Sequence, residues 1–455
     1  MTKPSSRLCA VAFTLLALSG GPAPAGSRTP DLSRQLEQRA DQFFAGSRPG
    51  GVVLVRRGDE VLLRKAYGLA DVENQVPMRA DAVFRLASAS KQFTAMAILK
   101  LVEAGKFTLD QRIGTLDRSL PAAIGKVTLR QLLTHTSGIR NISSIPESRA
   151  ARRNEATAQE LLAFFQDLPL DFEPGSRFSY SNSNYILLTR LIELHSGQSY
   201  AGFLDTQLFK PLGMHQTRYG SHLDLIPRRA AGYQQDAQGQ LLNAEFISMS
   251  QPQGAGGLVS SVDDLARWDQ ALYGTSLVRP ALLTEAFRKV RLKDGSTQPY
   301  GFGWVLGEVQ GLPSQEHGGF INGFNSQLLR VPDAQVFVTI LTNAEALYPA
   351  DLSVELAALA AQRPYDRTEA SPAPDMAQWL GRYQFAEGVA RTVLMIEGKV
   401  HSQRDGADPI PLLATADGRW YLGEGLDYVR FAKGADGKAR MTLHERLLGT
   451  STGVR

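Results

Sequence analysis

The spacing of apolar and polar positions changes along the chain. Helical spacing from Asp31 to Gly46 is followed by a pattern typical of a β-hairpin over residues 52–63. Helical patterning then dominates from Ser88 to about Ser196. The later predicted elements are strands at Gln327–Val331 and Val336–Leu341 and a helix at Leu352–Ala361. This order predicts an α+β fold, an α/β sandwich in which early and late strands share a sheet.

The pattern changes again near residue 363. A segment rich in proline, alanine and charge at 363–375 indicates a linker. Short strand-like runs follow, separated by the turn dipeptides Asp405-Gly406, Asp417-Gly418 and Asp436-Gly437. We therefore expect a small antiparallel β-domain, barrel-like, over residues 376–448.

The first residues have the features of an export signal. Lys3 and Arg7 precede an apolar run from Leu8 to Leu18, and Ala23-Pro24-Ala25 offers small residues for cleavage. The run is about half the length needed to cross a bilayer. We expect residues 1–25 to be a cleaved signal peptide. The mature protein is then periplasmic or secreted, with no stable membrane span.

Composition narrows the function classes. The chain has 455 residues and a net charge of +4 without any basic run, so we expect no nucleic-acid partner. Its one cysteine, Cys9, lies in the predicted signal, which removes thiol catalysis, thiolate metal sites and disulfides from the mature protein. The seven histidines lack metal-ligand spacing. We expect no metal and no cofactor.

Ser88 and Lys91 give the strongest chemical signal. Ser88 opens a predicted helix that runs to about Glu103, and Lys91 follows three positions later on the same face. A serine hydroxyl needs a base to become a nucleophile, and burial lowers the pKa of lysine until it can serve. A helix N-terminus also supplies a backbone N–H near the serine. Taken alone, Ser-x-x-Lys fits an ordinary helix cap equally well.

Tyr180 and Asn182 form a second candidate group at a turn before another predicted helix. A tyrosine that faces a lysine ammonium has a lowered pKa and can shuttle protons. The Asn182 amide can hydrogen-bond both the lysine and an acyl-chain amide. An isolated tyrosine at such a turn is more typical of packing.

His317, Gly318, Gly319 and Phe320 form a third group, ahead of the predicted strand at Gln327. Two glycines let a strand edge approach a substrate backbone closely. The backbone N–H of Phe320, together with that of Ser88, can form an oxyanion hole. A lone His-Gly-Gly is more often a loop.

The three groups match the motif set Ser-x-x-Lys, Tyr-x-Asn and Lys/His-x-Gly in order, at spacings of about 90 and 135 residues. On these residues the chain resembles the class C β-lactamase-like serine hydrolases. That family includes penicillin-binding D-alanyl-D-alanine carboxypeptidases, D-aminopeptidases and esterases. Supporting stretches similar to the same family are Leu129–Gly138, Gly254–Leu258 with Asp263-Asp264-Leu265, and Tyr300–Trp304.

The resemblance implies a β-lactamase/transpeptidase-like domain over residues 31–362, with an antiparallel sheet flanked by helices. It also implies an acyl-enzyme on Ser88, with Lys91 and Tyr180 moving protons and Asn182 and His317 positioning the acyl group. Lysine is usual in true class C β-lactamases where His317 stands, whereas histidine is typical of the peptidase branches. We therefore expect poor antibiotic hydrolysis.

Three other patterns are given structural interpretations. Gly449–Gly453 fits G-x-S-x-G, but no acid or histidine follows it, and we expect a frayed chain end. His135 beside Thr136-Ser137 is expected to be structural. Asp263 and Asp264 are expected to be the N-terminal acids of a helix.

The sequence thus predicts an exported serine hydrolase of amide or ester bonds. The expected substrates are small molecules or peptides, above all D-amino-acid peptides or cell-wall peptide. Two alternatives stay open. One is an esterase with incidental β-lactam reactivity, and the other is a penicillin-binding sensor that is acylated without turnover. The oligomeric state is also open.

Overall fold

The computed structural model describes residues 28–366, 376–385, 388–447 and 449–455. The predicted signal peptide and most of the predicted linker at 363–375 lie outside these ranges. Within the described ranges, no helix is both long and apolar enough to span a bilayer.

A six-stranded sheet forms the centre of the larger domain. Its strands are β1 (Gly51–Arg57), β2 (Glu60–Tyr67), β3 (Val305–Val309), β4 (Leu312–Ile321), β5 (Phe324–Val331) and β6 (Val336–Thr342). The spatial order is β3-β4-β5-β6-β1-β2, and every neighbouring pair is antiparallel. The predicted sharing of one sheet by early and late strands is confirmed.

Helices cover both faces of this sheet. The longer ones are α1 (Arg28–Phe44), α2 (Lys91–Glu103), α3 (Asn182–Ser196), α4 (Val262–Ala271) and α5 (Ala350–Ala360). Val53 and Val55 of β1 share a core with α1 and α5, whereas Val52 and Leu54 join the larger core that contains α2 and α3. Successive side chains of a strand point to opposite faces, so a strand covered on both faces needs an unbroken apolar run.

Shorter elements connect this framework. The short strands are Leu69–Asp71, Val76–Pro77, Phe84–Arg85, Arg218–Tyr219, Tyr233–Gln235, Leu241–Asn243, Leu258–Ser260, Val290–Arg291 and Thr297–Gln298. The short α-helices are Ala122–Gly125, Leu129–Leu133, Pro146–Ala150, Ala158–Leu162, Tyr200–Leu204 and Pro280–Ala286. Single turns of 3-10 helix lie at Ala87–Ser90, Ile113–Thr115, Ile142–Ser144, Ala151–Arg153, Gln253–Ala255, Pro332–Ala334 and Met376–Trp379, and a π turn at Asp205–Phe209.

Helix α4 is tied to the sheet by a buried charge cluster. Asp269 accepts hydrogen bonds from Arg56 at 2.9 Å and from Arg330 at 2.8 Å. Burial raises the pKa of Asp269, and the two guanidinium groups oppose that rise. At the other end, Asp263 and Asp264 occupy the first turn of α4, which confirms their predicted place.

The smaller domain is a closed eight-stranded antiparallel barrel. Its strands are β7 (Gly381–Gln384), β8 (Ala390–Ile396), β9 (Lys399–Arg404), β10 (Ile410–Ala414), β11 (Trp420–Leu422), β12 (Tyr428–Lys433), β13 (Ala439–Glu445) and β14 (Gly449–Val454). The frayed end predicted for Gly449–Gly453 is wrong. Strand β14 pairs with β13 along its length and closes the barrel through Val454 and Gln384. The β-domain therefore continues beyond residue 448.

Candidate active site

Ser88 lies in a tight turn rather than inside a regular helix. The turn Ala87–Ser90 is 3-10, and α2 begins only at Lys91. Ala87 has a left-handed backbone with φ of +47°, which costs a non-glycine residue about 1 kcal/mol. A hydrogen bond fixes the start of the turn: Leu86 N–H donates to Leu258 O at 2.9 Å. The result is a partly exposed Ser88 among buried neighbours.

Lys91 is fully buried beside Ser88. Its Nζ lies 3.2 Å from Ser88 Oγ, 2.8 Å from Asn182 Oδ1 and 2.8 Å from Ala255 O. Burial lowers the pKa of Lys91 well below its ordinary value. None of these three polar neighbours carries a charge that would hold a proton on the amine.

A neutral lysine amine has two N–H groups and one lone pair. The oxygens of the Asn182 side chain and of Ala255 are carbonyl oxygens, which only accept hydrogen bonds. They take both N–H groups, so the lone pair is left to face Ser88 Oγ. This arrangement allows Lys91 to accept the serine proton as the oxygen attacks. Ala255 O was not predicted, because a backbone carbonyl has no residue-type signal.

Asn182 is itself held at the start of α3. Its backbone N–H donates to Asn141 Oδ1 at 3.1 Å, and its side-chain amide donates to Ser143 Oγ at 3.0 Å. These contacts fix the orientation of the Asn182 amide, so its oxygen points at Lys91. The predicted contact between Asn182 and Lys91 is present.

Tyr180 lines a cavity together with Ser88, and its ring centroid lies 4.7 Å from Lys91 Nζ. Its buried hydroxyl is beside Ser88 without the geometry of a full hydrogen bond. Burial raises the pKa of Tyr180, and the Ser88 hydroxyl opposes only part of that rise. The lowered tyrosine pKa predicted from the sequence is therefore wrong for the free protein. Burial disfavours the tyrosinate, so Tyr180 keeps its proton.

The buried His135 supports the turn that carries Tyr180. Its Nδ1 accepts from Ser181 N–H at 3.2 Å, and its carbonyl accepts from Ser179 N–H at 2.9 Å. Its ring centroid is 4.3 Å from that of Tyr180. Burial lowers the pKa of His135 well below its ordinary value, so the ring is neutral. The structural role expected for His135 agrees with these contacts.

His317 is also neutral. Its Nδ1 is 2.6 Å from Gly318 O, which only accepts, so Nδ1 carries the proton and Nε2 accepts from the Tyr300 hydroxyl at 3.0 Å. Burial lowers the pKa of His317 to about 3. Its ring centroid lies 6.2 Å from that of Tyr180. His317 thus places no fixed positive charge beside the tyrosine.

Strand β4 presents its open edge to Ser88. β4 forms one hairpin with β3 and another with β5. The registers of these hairpins direct the N–H groups of odd-numbered β4 residues towards β5 and those of even-numbered β4 residues towards β3. Strand β3 begins opposite Glu316, so the Phe320 N–H lies past its end. A Cβ on Gly319 would come within 2.8 Å of Ser88 N and 2.2 Å of Leu86 O. This close approach brings the Phe320 and Ser88 amides to one place, as an oxyanion hole requires.

Ser88 opens into two cavities. One, of about 250 Å³, is lined by Ser88 together with Asn182, Ala255 and the Phe320 region. The other, of about 330 Å³, is lined by Ser88 together with Tyr180 and His317. Ser88 thus lies between two cavities. The two groups that the scissile bond of a substrate joins can each occupy one of them.

The barrel contributes to the second cavity. Arg446 and Leu447, in the hairpin between β13 and β14, line it. Arg446 forms a largely buried ion pair with Glu316, the residue before His317. Gln327 also donates to Glu316 Oε2 at 2.8 Å. Sequence reasoning missed this pair, because nothing in either residue's local sequence indicates a partner in the other domain.

Comparison with known proteins agrees with this geometry. A family model described as Beta-lactamase matches residues 34–363. Penicillin-binding protein 4* of Bacillus subtilis (strain 168) is 31% identical over 427 residues, which cover 87% of this chain and 92% of that protein. A D-aminopeptidase of Brucella anthropi is 31% identical over 306 residues, 65% of this chain. That match spans only 56% of the D-aminopeptidase.

Solved structures show the same fold. The D-amino acid amidase from Ochrobactrum anthropi SV3, complexed with L-phenylalanine amide, superimposes with a TM-score of 0.63 at 26% identity. That match covers 73% of this chain and 97% of the amidase. The octameric penicillin-binding protein homologue from Pyrococcus abyssi has a TM-score of 0.64 at 23% identity, over 94% of this chain and 100% of its own. The similarity to the Pyrococcus abyssi protein shows a shared fold alone.

Proposed function

Because this chain belongs to the Beta-lactamase family of serine hydrolases, we propose that it hydrolyses amide or ester bonds of D-amino-acid substrates through an acyl-enzyme on Ser88. The observation that carries the proposal is the fully buried Lys91, whose Nζ lies 3.2 Å from the Oγ of a partly exposed Ser88 between two cavities. The preference for D-residues is supported by the names of two relatives, a D-aminopeptidase and a D-amino acid amidase.

In the acylation step, Lys91 Nζ takes the proton of Ser88 while Oγ forms a bond to the substrate carbonyl carbon. The Ser88 and Phe320 N–H groups donate to the oxyanion that develops. The tetrahedral intermediate then expels the amine or alcohol, which receives a proton from Tyr180. The Lys91 ammonium returns a proton to Tyr180, so the site regains its starting protonation. Water resolves the ester by the same steps in reverse.

The charge state of His317 affects which substrates the enzyme turns over. Its ring is neutral and already bonded at both nitrogens, to Gly318 O and to Tyr300. It therefore supplies no fixed charge for the carboxylate of a β-lactam. We expect such antibiotics to acylate Ser88 and to be hydrolysed slowly.

The proposal includes export. The basic start, the apolar run and the Ala23-Pro24-Ala25 site support a cleaved signal. Expression in a Gram-negative host should yield a periplasmic protein whose mass corresponds to a chain that begins at Gly26. A full-length protein retained in the cytoplasm would contradict export while leaving the hydrolase untouched.

The hydrolase is tested with the D- and L-alanine forms of a p-nitroanilide and a p-nitrophenyl ester, on wild type and on Ser88→Ala. We expect the D forms to be consumed at least tenfold faster than the L forms, and Ser88→Ala to be at background. Equal rates for D and L would refute the stereochemical part. Consumption of esters alone would establish the esterase alternative, and no consumption of any substrate would refute hydrolysis of this class.

A further inference from the structure

The cavity on the Asn182 side of Ser88 contains a cation with no counter-ion. Among the described residues that line it, Arg152 is the only charged one. The remaining wall is made of small, aliphatic, aromatic and amide side chains, including Ile142, Ile247 and Gln251. None of the described residues that line this space carries a carboxylate.

Arg152 itself has no polar partner for its guanidinium in the part of the chain that the structure describes. Its backbone is nevertheless fixed, because its carbonyl accepts from Ser248 N–H at 3.0 Å. Gln251 Nε2 donates to the carbonyl oxygens of Ala151 and Asn154 on either side of it, at 3.3 and 2.8 Å. A half-buried cation held on a fixed backbone in a partly apolar cavity gains most from an anionic ligand.

The two cavities receive different halves of the substrate. Tyr180, which protonates the departing group, lines the other cavity, so the leaving group lies there. Asn182, which can hydrogen-bond an acyl-chain amide, lines the cavity with Arg152. The acyl half of the substrate therefore extends towards Arg152.

We propose that Arg152 determines specificity for substrates whose acyl half carries a carboxylate. An acidic D-residue, or a D-residue capped with a dicarboxylic acyl chain, has this chemistry. A free ammonium in the same place meets the Arg152 cation without a compensating carboxylate, so an unblocked amino group is disfavoured. This inference rests on the proposed function, because it assigns the acyl group of the same reaction.

The test uses three D-alanine p-nitroanilides of similar size that differ in the charge of the N-cap: succinyl (anionic), butyryl (neutral) and 4-aminobutyryl (cationic). We expect kcat/KM of wild type to be about tenfold higher for succinyl than for butyryl, as for one charge-assisted hydrogen bond. Arg152→Gln should abolish the succinyl preference, and Arg152→Glu should transfer it to 4-aminobutyryl. Each preference is a ratio within one protein sample, so it does not depend on the folded fraction.

Arg153→Gln is the matched control. Arg153 is the next residue, is exposed, and stacks on Phe246 with its guanidinium 5.5 Å from the ring centroid, outside the cavity. It should keep the wild-type preference despite the same loss of charge. A wild type without a succinyl preference, or an Arg152→Gln variant that retains it, would overturn the inference. If wild type consumes none of the three faster than Ser88→Ala but does consume D-alanine p-nitroanilide, the inference is overturned and the proposed function stands. If it consumes none of the four, the proposed function itself fails.

Discussion

Lys91 should make the free energy of unfolding depend on pH, and this dependence should be absent from the variant Lys91→Met. In the unfolded chain its ammonium is in water, with a pKa of about 10.4. In the folded protein the amine is fully buried, and burial lowers its pKa well below that value. Between the two pKa values the unfolded state binds one more proton than the folded state. Folding there requires the lysine to release a proton, at a cost in free energy.

The sign and size follow from linkage. Where the unfolded state binds the extra proton, the free energy of unfolding rises with pH by about 1.4 kcal/mol per unit. Lys91→Met removes this contribution, so the stability of wild type relative to the variant should increase with rising pH, by up to about 1.4 kcal/mol per unit between the folded and the unfolded pKa. The relative stability of wild type falls again as the pH drops through the same window.

Urea unfolding of both proteins across this range checks the expectation. Far-UV circular dichroism at 222 nm follows the larger domain, because the long helices of the described chain all lie there. Lys106→Met, at an exposed lysine just after α2, matches the charge change and should show no such pH dependence. A difference between wild type and Lys91→Met that is constant, or that shrinks with rising pH, would mean that Lys91 folds as an ammonium. It could not then be the base.

Other parts of the site give further expectations. Gly319→Ala should lower kcat about 100- to 1,000-fold, since its Cβ would meet backbone at the oxyanion hole. Gly318→Ala, whose new Cβ would crowd mainly a side-chain amide, should lose much less, and equal losses would refute the packing argument. Arg446→Met should cost about 3–5 kcal/mol in urea unfolding by leaving Glu316 buried and unpaired. The double variant with Glu316→Gln should recover most of this, and an unchanged single variant would count against a buried pair. Tyr180→Phe should slow p-nitroanilide hydrolysis about 100-fold or more. It should slow the hydrolysis of p-nitrophenyl esters less, because nitrophenolate leaves without a proton. Equal slowing of both substrates would argue against Tyr180 as a proton donor.

The residue types that carry chemistry could be recognised from the sequence. Ser88, Lys91, Tyr180, Asn182 and His317 are far apart in the chain, and the structure places them around one nucleophile. Order and spacing sufficed because the three motifs together match the motif set of one family, although each motif alone has a structural explanation. The β-hairpin predicted over residues 52–63 is also present, as β1 and β2.

Other features have no signal in residue type. The Ala255 carbonyl that orients Lys91 is a backbone group, and the Arg446–Glu316 pair depends on how two domains dock. The direction of the Tyr180 pKa shift depends on how deeply the tyrosine itself is buried, which its residue type does not indicate. Strand β14 consists of small and polar residues, and it is ordered by pairing with β13 rather than by its own propensity.

Intact-mass analysis can show whether Ser88 is the residue that becomes acylated. Wild type and Ser88→Ala are exposed briefly to benzylpenicillin, and peptide mapping locates any adduct. We expect wild type to gain the mass of one penicillin on the peptide containing Ser88 and Ser88→Ala to gain none. An adduct of equal yield on Ser88→Ala, or a wild type that neither gains mass nor consumes the reagent faster than the variant, would contradict this expectation.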